Sequence, residues 1–92
     1  MISQLEVARA VSVPAGYTVT WRAGFREDDL TGSVYEGDSD RKPTLAGIFF
    51  KDAKPLPVLR LAERGVWDAT RLYELSEYAI KVARALREHG LR

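Results

Sequence analysis

The sequence predicts an α+β fold, an antiparallel β-meander of four to five strands with one long C-terminal helix packed on one face. Apolar and polar residues alternate over residues 17–25, which is the period of a half-buried strand. Further short apolar segments follow, separated by turn residues, and residues 68–89 then show the period of an amphipathic helix. A chain of 92 residues has room for one core, so residues 1–92 are expected to form a single domain.

The segment that precedes the first clear strand fits two structures. Apolar residues at odd positions extend the strand alternation across residues 5–13, which favours a strand. Ser3 and Glu6 have the spacing of a capping box, and Ile2 and Val7 have that of a hydrophobic staple, and both pairs favour a helix. The strand is the preferred interpretation, and the helix stays open as the alternative.

The strand at residues 17–25 is predicted to divide its side chains between two faces. Pro14 and Gly16, just before it, favour a hairpin turn. Its odd positions are expected to face the helix, and these are Tyr17, Val19, Trp21, Ala23 and Phe25. The intervening residues then lie on the opposite side of the sheet, which the helix leaves uncovered.

Three further strands are predicted from the middle of the chain. Residues 30–36 and 44–51 form the next two, and the second of these is apolar at both parities, which indicates a central strand with both faces partly covered. Residues 58–61 favour a short edge strand, because Pro55 and Pro57 before it suit an edge.

The apolar stripe of the C-terminal helix is wider than contact with one sheet requires. Asp68 is predicted to cap its N-terminus and Gly90 to end it in a left-handed conformation. The apolar arc spans roughly 220°, about twice what a helix on one sheet needs. Its surplus flank bears Tyr78, Val82 and Ala85, and we expect these residues to bind a protein partner or a second copy of the chain. The alternative is that the N-terminal segment or the last strand covers this flank within the monomer.

The composition gives no support to catalysis. Cysteine is absent, and the single histidine, His89, lies in the last helical turn, where it suits the helix dipole. No nucleophile motif or phosphate-binding glycine loop is present. Acidic clusters at residues 27–29 and 36–40 fall at opposite ends of the predicted meander and cannot converge on one site. We therefore expect no enzyme activity, no metal and no cofactor.

Single-stranded nucleic acid is the alternative partner, on the uncovered side of the sheet. The formal net charge of +1 provides no strong overall field, so any affinity must be local. The residues predicted for this surface are Thr18, Thr20, Arg22, Arg26 and Tyr35. Single-strand sites combine cations with aromatic platforms. Here the aromatic side chains of the first strand point to the other side, so only Tyr35 is expected to join the arginines.

The function predicted from the sequence is that of a small non-enzymatic interaction module that docks onto another macromolecule. The high arginine and alanine content is compatible with a bacterial or phage-encoded accessory or inhibitor protein. Residues 1–10 are too polar for a secretory signal, and no segment has the length and apolarity of a membrane span. A cytoplasmic location without membrane contact is expected.

Overall fold

A computed structural model describes residues 2–26 and 28–92. In chain order the elements are helix α1 (Gln4–Ala10), strands β1 (Tyr17–Ala23), β2 (Leu30–Glu36), β3 (Ala46–Phe50) and β4 (Val58–Leu61), and helix α2 (Ala69–Glu88). The strands form one antiparallel sheet in the order β1-β2-β3-β4, and α2 covers one of its sides. The predicted α+β class, the meander and the long C-terminal helix are confirmed.

The N-terminal segment is a helix, so the preferred prediction of a strand is wrong. The Ser3 hydroxyl accepts a hydrogen bond from the backbone N–H of Glu6 at 3.1 Å, and the Glu6 carboxylate accepts one from the backbone N–H of Ser3 at 3.4 Å. This capping box satisfies two backbone donors locally. Val7 and Ala8 are both buried in one core. Adjacent strand residues point to opposite faces, so only a helix buries this pair on one side.

The strand register defines a row of core residues beneath α2. Residues that stand opposite each other in antiparallel strands share a face. Trp21 pairs with Gly32, Gly32 with Ile48, and Ile48 with Leu59, so these four residues cross the whole sheet on the helix side. The buried residues that α2 contributes to the same core are Leu75, Tyr78, Ala79, Val82, Ala83 and Leu86.

The predicted helix-facing strand is shorter than its alternation suggested. Three of the five side chains lie in the core or pack against it: Tyr17, Val19 and Trp21. Ala23 is exposed at the end of β1, and Phe25 lies beyond the strand with its side chain fully exposed. The backbone N–H of Gly24 donates to the carbonyl of Asp29 at 2.9 Å, so the chain turns before the alternation reaches Phe25.

A buried hydrogen bond joins the sheet to α2. Trp21 donates its indole N–H to the Tyr78 hydroxyl at 2.9 Å, and both side chains are buried. The Trp21 ring lies across Gly32, where an added Cβ would come within 2.8 Å of the ring. Buried indole and phenol groups need such partners, so this pair fixes the position of α2 over β1 and β2.

We expect the stability of the protein to depend on Tyr78 at alkaline pH. Burial raises the pKa of Tyr78, and the hydrogen bond from Trp21 partly offsets this effect. In the unfolded chain a phenol titrates near pH 10. Above about pH 10 the unfolded state therefore binds fewer protons than the folded state, and the free energy of unfolding falls as the pH rises.

Urea denaturation followed by circular dichroism, between about pH 8 and pH 11, measures this dependence. The decline is expected to be shallower in Tyr78→Phe. Tyr73→Phe, which changes an exposed tyrosine of the same helix, is the matched control. Identical declines in Tyr78→Phe and the wild type would contradict the prediction.

The two edges of the sheet differ in how they are protected. Beside β1, helix α1 contacts the strand, and Arg9 donates from its guanidinium to the Trp21 carbonyl at 3.2 Å. At the other edge, β4 has only four residues and follows Pro55 and Pro57. Short strands and prolines disfavour pairing with a further strand.

Among the described residues, no helix is both long and apolar enough to span a membrane.

Candidate functional site

The structure places the predicted partner-binding flank of α2 inside the monomer. Tyr78 is 2% exposed and Val82 is 0% exposed, and Ala85 packs against the core. Helix α1 contacts both α2 and β1, and its Val7 and Ala8 belong to the same core cluster. The prediction that this flank is uncovered is therefore corrected: the short N-terminal helix supplies the second surface that the wide apolar arc requires.

The other side of the sheet is not covered by a helix. In the register, Thr18 stands opposite Tyr35 and Arg22 opposite Thr31, so these predicted residues lie on that side. Thr31 in turn stands opposite Phe49, which places an aromatic ring on the same face as Arg22, with one strand between them. We call this surface the open sheet face, and its residues are Thr18, Thr20, Arg22, Thr31, Ser33, Tyr35, Gly47, Phe49, Val58 and Arg60, with Lys51 just beyond β3.

Arg26, although predicted for this surface, is not part of it. It lies in the β1–β2 loop, where its guanidinium pairs with the Asp52 carboxylate at 3.2 Å. Its backbone N–H and that of Asp52 donate to the two carboxylate oxygens of Asp29 at 3.3 and 3.2 Å. The loops before β2 and before β4 are thus tied together at one end of the sheet. Glu27, of the predicted acidic cluster, lies outside the described residues.

Phe49 forms an aromatic platform on the open sheet face. Its ring lies over Gly47, where an added Cβ would come within 2.6 Å of the ring. The side chain is half-buried, because its inner surface rests on the sheet. Lys51 places its Nζ 5.8 Å from the centroid of the ring. The Lys51 ammonium stands over the outer surface of the ring, so a flat ligand that stacks there must displace this flexible side chain.

Three cations share the open sheet face with this ring, namely Arg22, Lys51 and Arg60. All three are exposed, and the ion pairs of the described residues involve none of them. Every charged residue that the register assigns to the open sheet face is basic. Arg22, Phe49 and Arg60 line a hollow of about 320 Å³, and Lys51 joins Phe49 and Arg60 around another of about 160 Å³. The surface is suited to a ligand that is both anionic and aromatic.

The acidic side chains that the structure describes do not assemble into a metal site. Within residues 2–26 and 28–92, no group of three His, Cys, Asp or Glu side chains is arranged to hold a metal ion. Asp28 and Asp29 lie before β2 and residues 36–40 lie at its other end, so the two groups are at opposite ends of the sheet. His89 is the C-cap of α2 and is exposed. The absence of enzyme activity stays a prediction.

Sequence reasoning missed Phe49, Lys51 and Arg60 as surface partners of Arg22. The signal for Phe49 was obscured because β3 is apolar at both parities, so its outward side could not be identified before the register was known.

No protein-family model, no curated protein and no solved structure matches the chain. Function is therefore inferred from the residues of the open sheet face.

Proposed function

We propose that the protein is a small non-enzymatic binding module whose open sheet face binds single-stranded nucleic acid. The observation that carries this proposal is the Phe49 ring, which is supported on Gly47 and shares two hollows of the open sheet face with Arg22, Lys51 and Arg60. Sequence-tolerant single-strand sites combine an aromatic side chain, on which a base stacks, with cations that track the phosphates. Both components occur together on this surface.

Polar side chains add hydrogen-bonding capacity around the platform. The hydroxyls of Thr20 and Thr31 lie on the same face as Arg22, and hydroxyl groups bond phosphate oxygens and base edges. Thr18 is committed elsewhere, because its hydroxyl donates to the Gly37 carbonyl at 2.8 Å. On the open sheet face, the region around Arg22 therefore has more hydroxyl groups available to a ligand than the region around Thr18.

The shape of the protein favours a single strand over a duplex. Duplex DNA is read by a helix or a two-stranded ribbon that enters the major groove. The exposed side of α2 carries Glu74, Glu77 and Glu88 beside Lys81 and Arg84, and this mixture of charges does not match a polyanion. The cationic surface is the sheet itself, on which unstacked bases can lie.

A protein partner or a second copy was the occupant that the sequence favoured. That expectation depended on Tyr78 and Val82 being uncovered, and both side chains are core residues. The open sheet face, by contrast, has an arrangement of charge and aromatic surface that a polyanion complements. Nucleic acid is therefore the occupant that we propose.

The proposal is tested by fluorescence anisotropy with a labelled oligothymidylate of about twelve nucleotides, titrated between about 50 and 200 mM salt. The wild type is expected to bind more weakly as salt increases. Arg22→Ala is expected to lower the magnitude of the slope of log K against log salt by about 0.7, the value for one phosphate contact on a single strand.

Phe49→Leu retains an apolar side chain over Gly47 but removes the stacking surface. Stacking is worth about 1–3 kcal/mol per base, so we expect Kd to rise about 5- to 150-fold. Arg84→Ala on the exposed side of α2 makes the same charge change as Arg22→Ala and is the matched control. Absence of wild-type binding at the lowest salt concentration, or equal affinities of Arg22→Ala, Phe49→Leu and the wild type, would refute the proposal.

A further inference from the structure

A further hollow borders the one of about 320 Å³ on the open sheet face, and we call this neighbour the second hollow. It lies at the end of the sheet nearest the N-terminus of α2. Its volume is about 340 Å³, and its lining includes Lys42, Arg64 and Gly65. Thr44 and Ala62 line this hollow and also the one that contains Arg22, Phe49 and Arg60. The two hollows therefore share a border formed by these two small side chains.

The second hollow also has an excess of positive charge. Its charged lining residues are Lys42, Arg64, Arg71 and Glu36. Arg71 pairs with the Glu36 carboxylate at 3.2 Å and also donates to the Val66 carbonyl at 2.9 Å. Lys42 and Arg64 are exposed and take no part in the ion pairs of the described residues. They are consequently the two cations of this hollow that are available to a ligand.

Three carboxylates that are close in sequence to Lys42 or Arg64 are absent from the lining of the hollow. Asp38 and Asp40 belong to the turn that contains Lys42, and Glu63 precedes Arg64, but none of these three contributes to the lining. Glu36, which does contribute, is neutralised by Arg71. The electrostatic character of the hollow is therefore set by Lys42 and Arg64.

The connection between β4 and α2 is fixed in place beside Arg64. Trp67 donates its indole N–H to the Ala62 carbonyl at 2.9 Å, and the backbone N–H of Gly65 donates to the same carbonyl at 3.1 Å. The Trp67 ring lies over Gly65, where an added Cβ would come within 2.6 Å of it. These contacts hold Arg64 at the rim of the hollow.

We propose that a bound single strand continues from the open sheet face, past Thr44 and Ala62, into the second hollow, where Lys42 and Arg64 contact its phosphates. This inference rests on the proposed function and extends its site. Small single-strand binding folds take about 4–16 nucleotides. A strand near the lower limit occupies the Phe49 platform alone, whereas a longer strand also reaches the second hollow.

The test compares labelled oligothymidylates of about four and about twelve nucleotides on the double variant Lys42→Ala/Arg64→Ala. For the longer strand we expect the slope of log K against log salt to fall in magnitude by about 1.4, the value for two phosphate contacts. For the shorter strand we expect the slope and the affinity of the wild type. Lys81→Ala/Arg84→Ala on α2 carries the same charge change and is the control for both lengths.

The outcomes separate this inference from the proposed function. If the double variant has the wild-type slope on the longer strand, or loses affinity equally for both lengths, the extended path is wrong. In either case, the open sheet face is still supported as the site if the wild type binds and Phe49→Leu binds more weakly. If the wild type binds neither strand, the proposed function fails and the extended path fails with it.

Discussion

Val82→Lys is expected to unfold the protein under conditions in which Ile80→Lys remains folded. The Val82 side chain is 0% exposed, whereas Ile80, two residues earlier on α2, is 46% exposed. An ammonium group without a partner in an apolar core costs several kcal/mol. That cost is comparable with the total stability of a small domain, about 5–15 kcal/mol. Ile80→Lys places the same charge in water, so it measures the effect of lysine itself.

Far-ultraviolet circular dichroism and thermal melting distinguish the two variants. Val82→Lys is expected to show no cooperative transition, and Ile80→Lys a transition close to that of the wild type. Light scattering tests the opposing interpretation, in which Val82 contacts a second copy of the chain. If Val82→Lys stays folded and has half the mass of the wild type, the residue belongs to an interface between two copies, and its place in the monomer core is wrong.

Gly32→Val is expected to lower the free energy of unfolding by about 3 kcal/mol, the upper end of the range for overpacked cores. A Cβ at this position would come within 2.8 Å of the Trp21 ring, so a valine side chain must displace the indole. Displacement also breaks the hydrogen bond from Trp21 to Tyr78. Two buried polar groups then lose their partner, which adds to the steric cost.

Thr31→Val is the matched control, because it introduces the same side chain one residue earlier in β2, on the open sheet face. Its effect is expected to stay within about 0.5 kcal/mol. Trp21→Leu in the Gly32→Val background tests the cause, since a smaller residue at position 21 removes the collision. The cycle compares the wild type, Gly32→Val, Trp21→Leu and the double variant by urea denaturation. The double variant is expected to lose less stability than the sum of the losses of the two single variants. Additive effects would mean that the Trp21 ring is not what excludes a side chain at Gly32.

The fold was predictable where a pattern is long and specific. The alternation of β1, the N-cap Asp68 of α2 and the left-handed Gly90 that follows its C-cap are local signals that lie within a few residues of the structure they produce. The N-terminal segment was harder, since its apolar spacing fits a strand as well as a helix. The capping box of Ser3 and Glu6 was the informative signal, because only a helix makes use of it.

The candidate site was less predictable, because it depends on pairing between distant residues. Phe49 shares a face with Arg22 only because Thr31, on the strand between them, pairs with both residues. A shift of one residue would turn Phe49 to the other side of the sheet. The wide arc of α2 correctly required a second cover, but nothing in its own sequence identified the short helix α1 as that cover.

The separation of the two sides of the sheet has a consequence for how the protein changes over evolution. Alternate residues of the same strands have different roles. Trp21 and Ile48 belong to the core, whereas Arg22 and Phe49 lie on the open sheet face. Mutations at exposed positions are usually close to neutral for stability, so the residues of this surface can change without bringing the chain near its threshold for unfolding. Gly47 is the exception, since a side chain there would have to displace the Phe49 ring. We therefore expect Gly47 to vary least among the residues of the open sheet face.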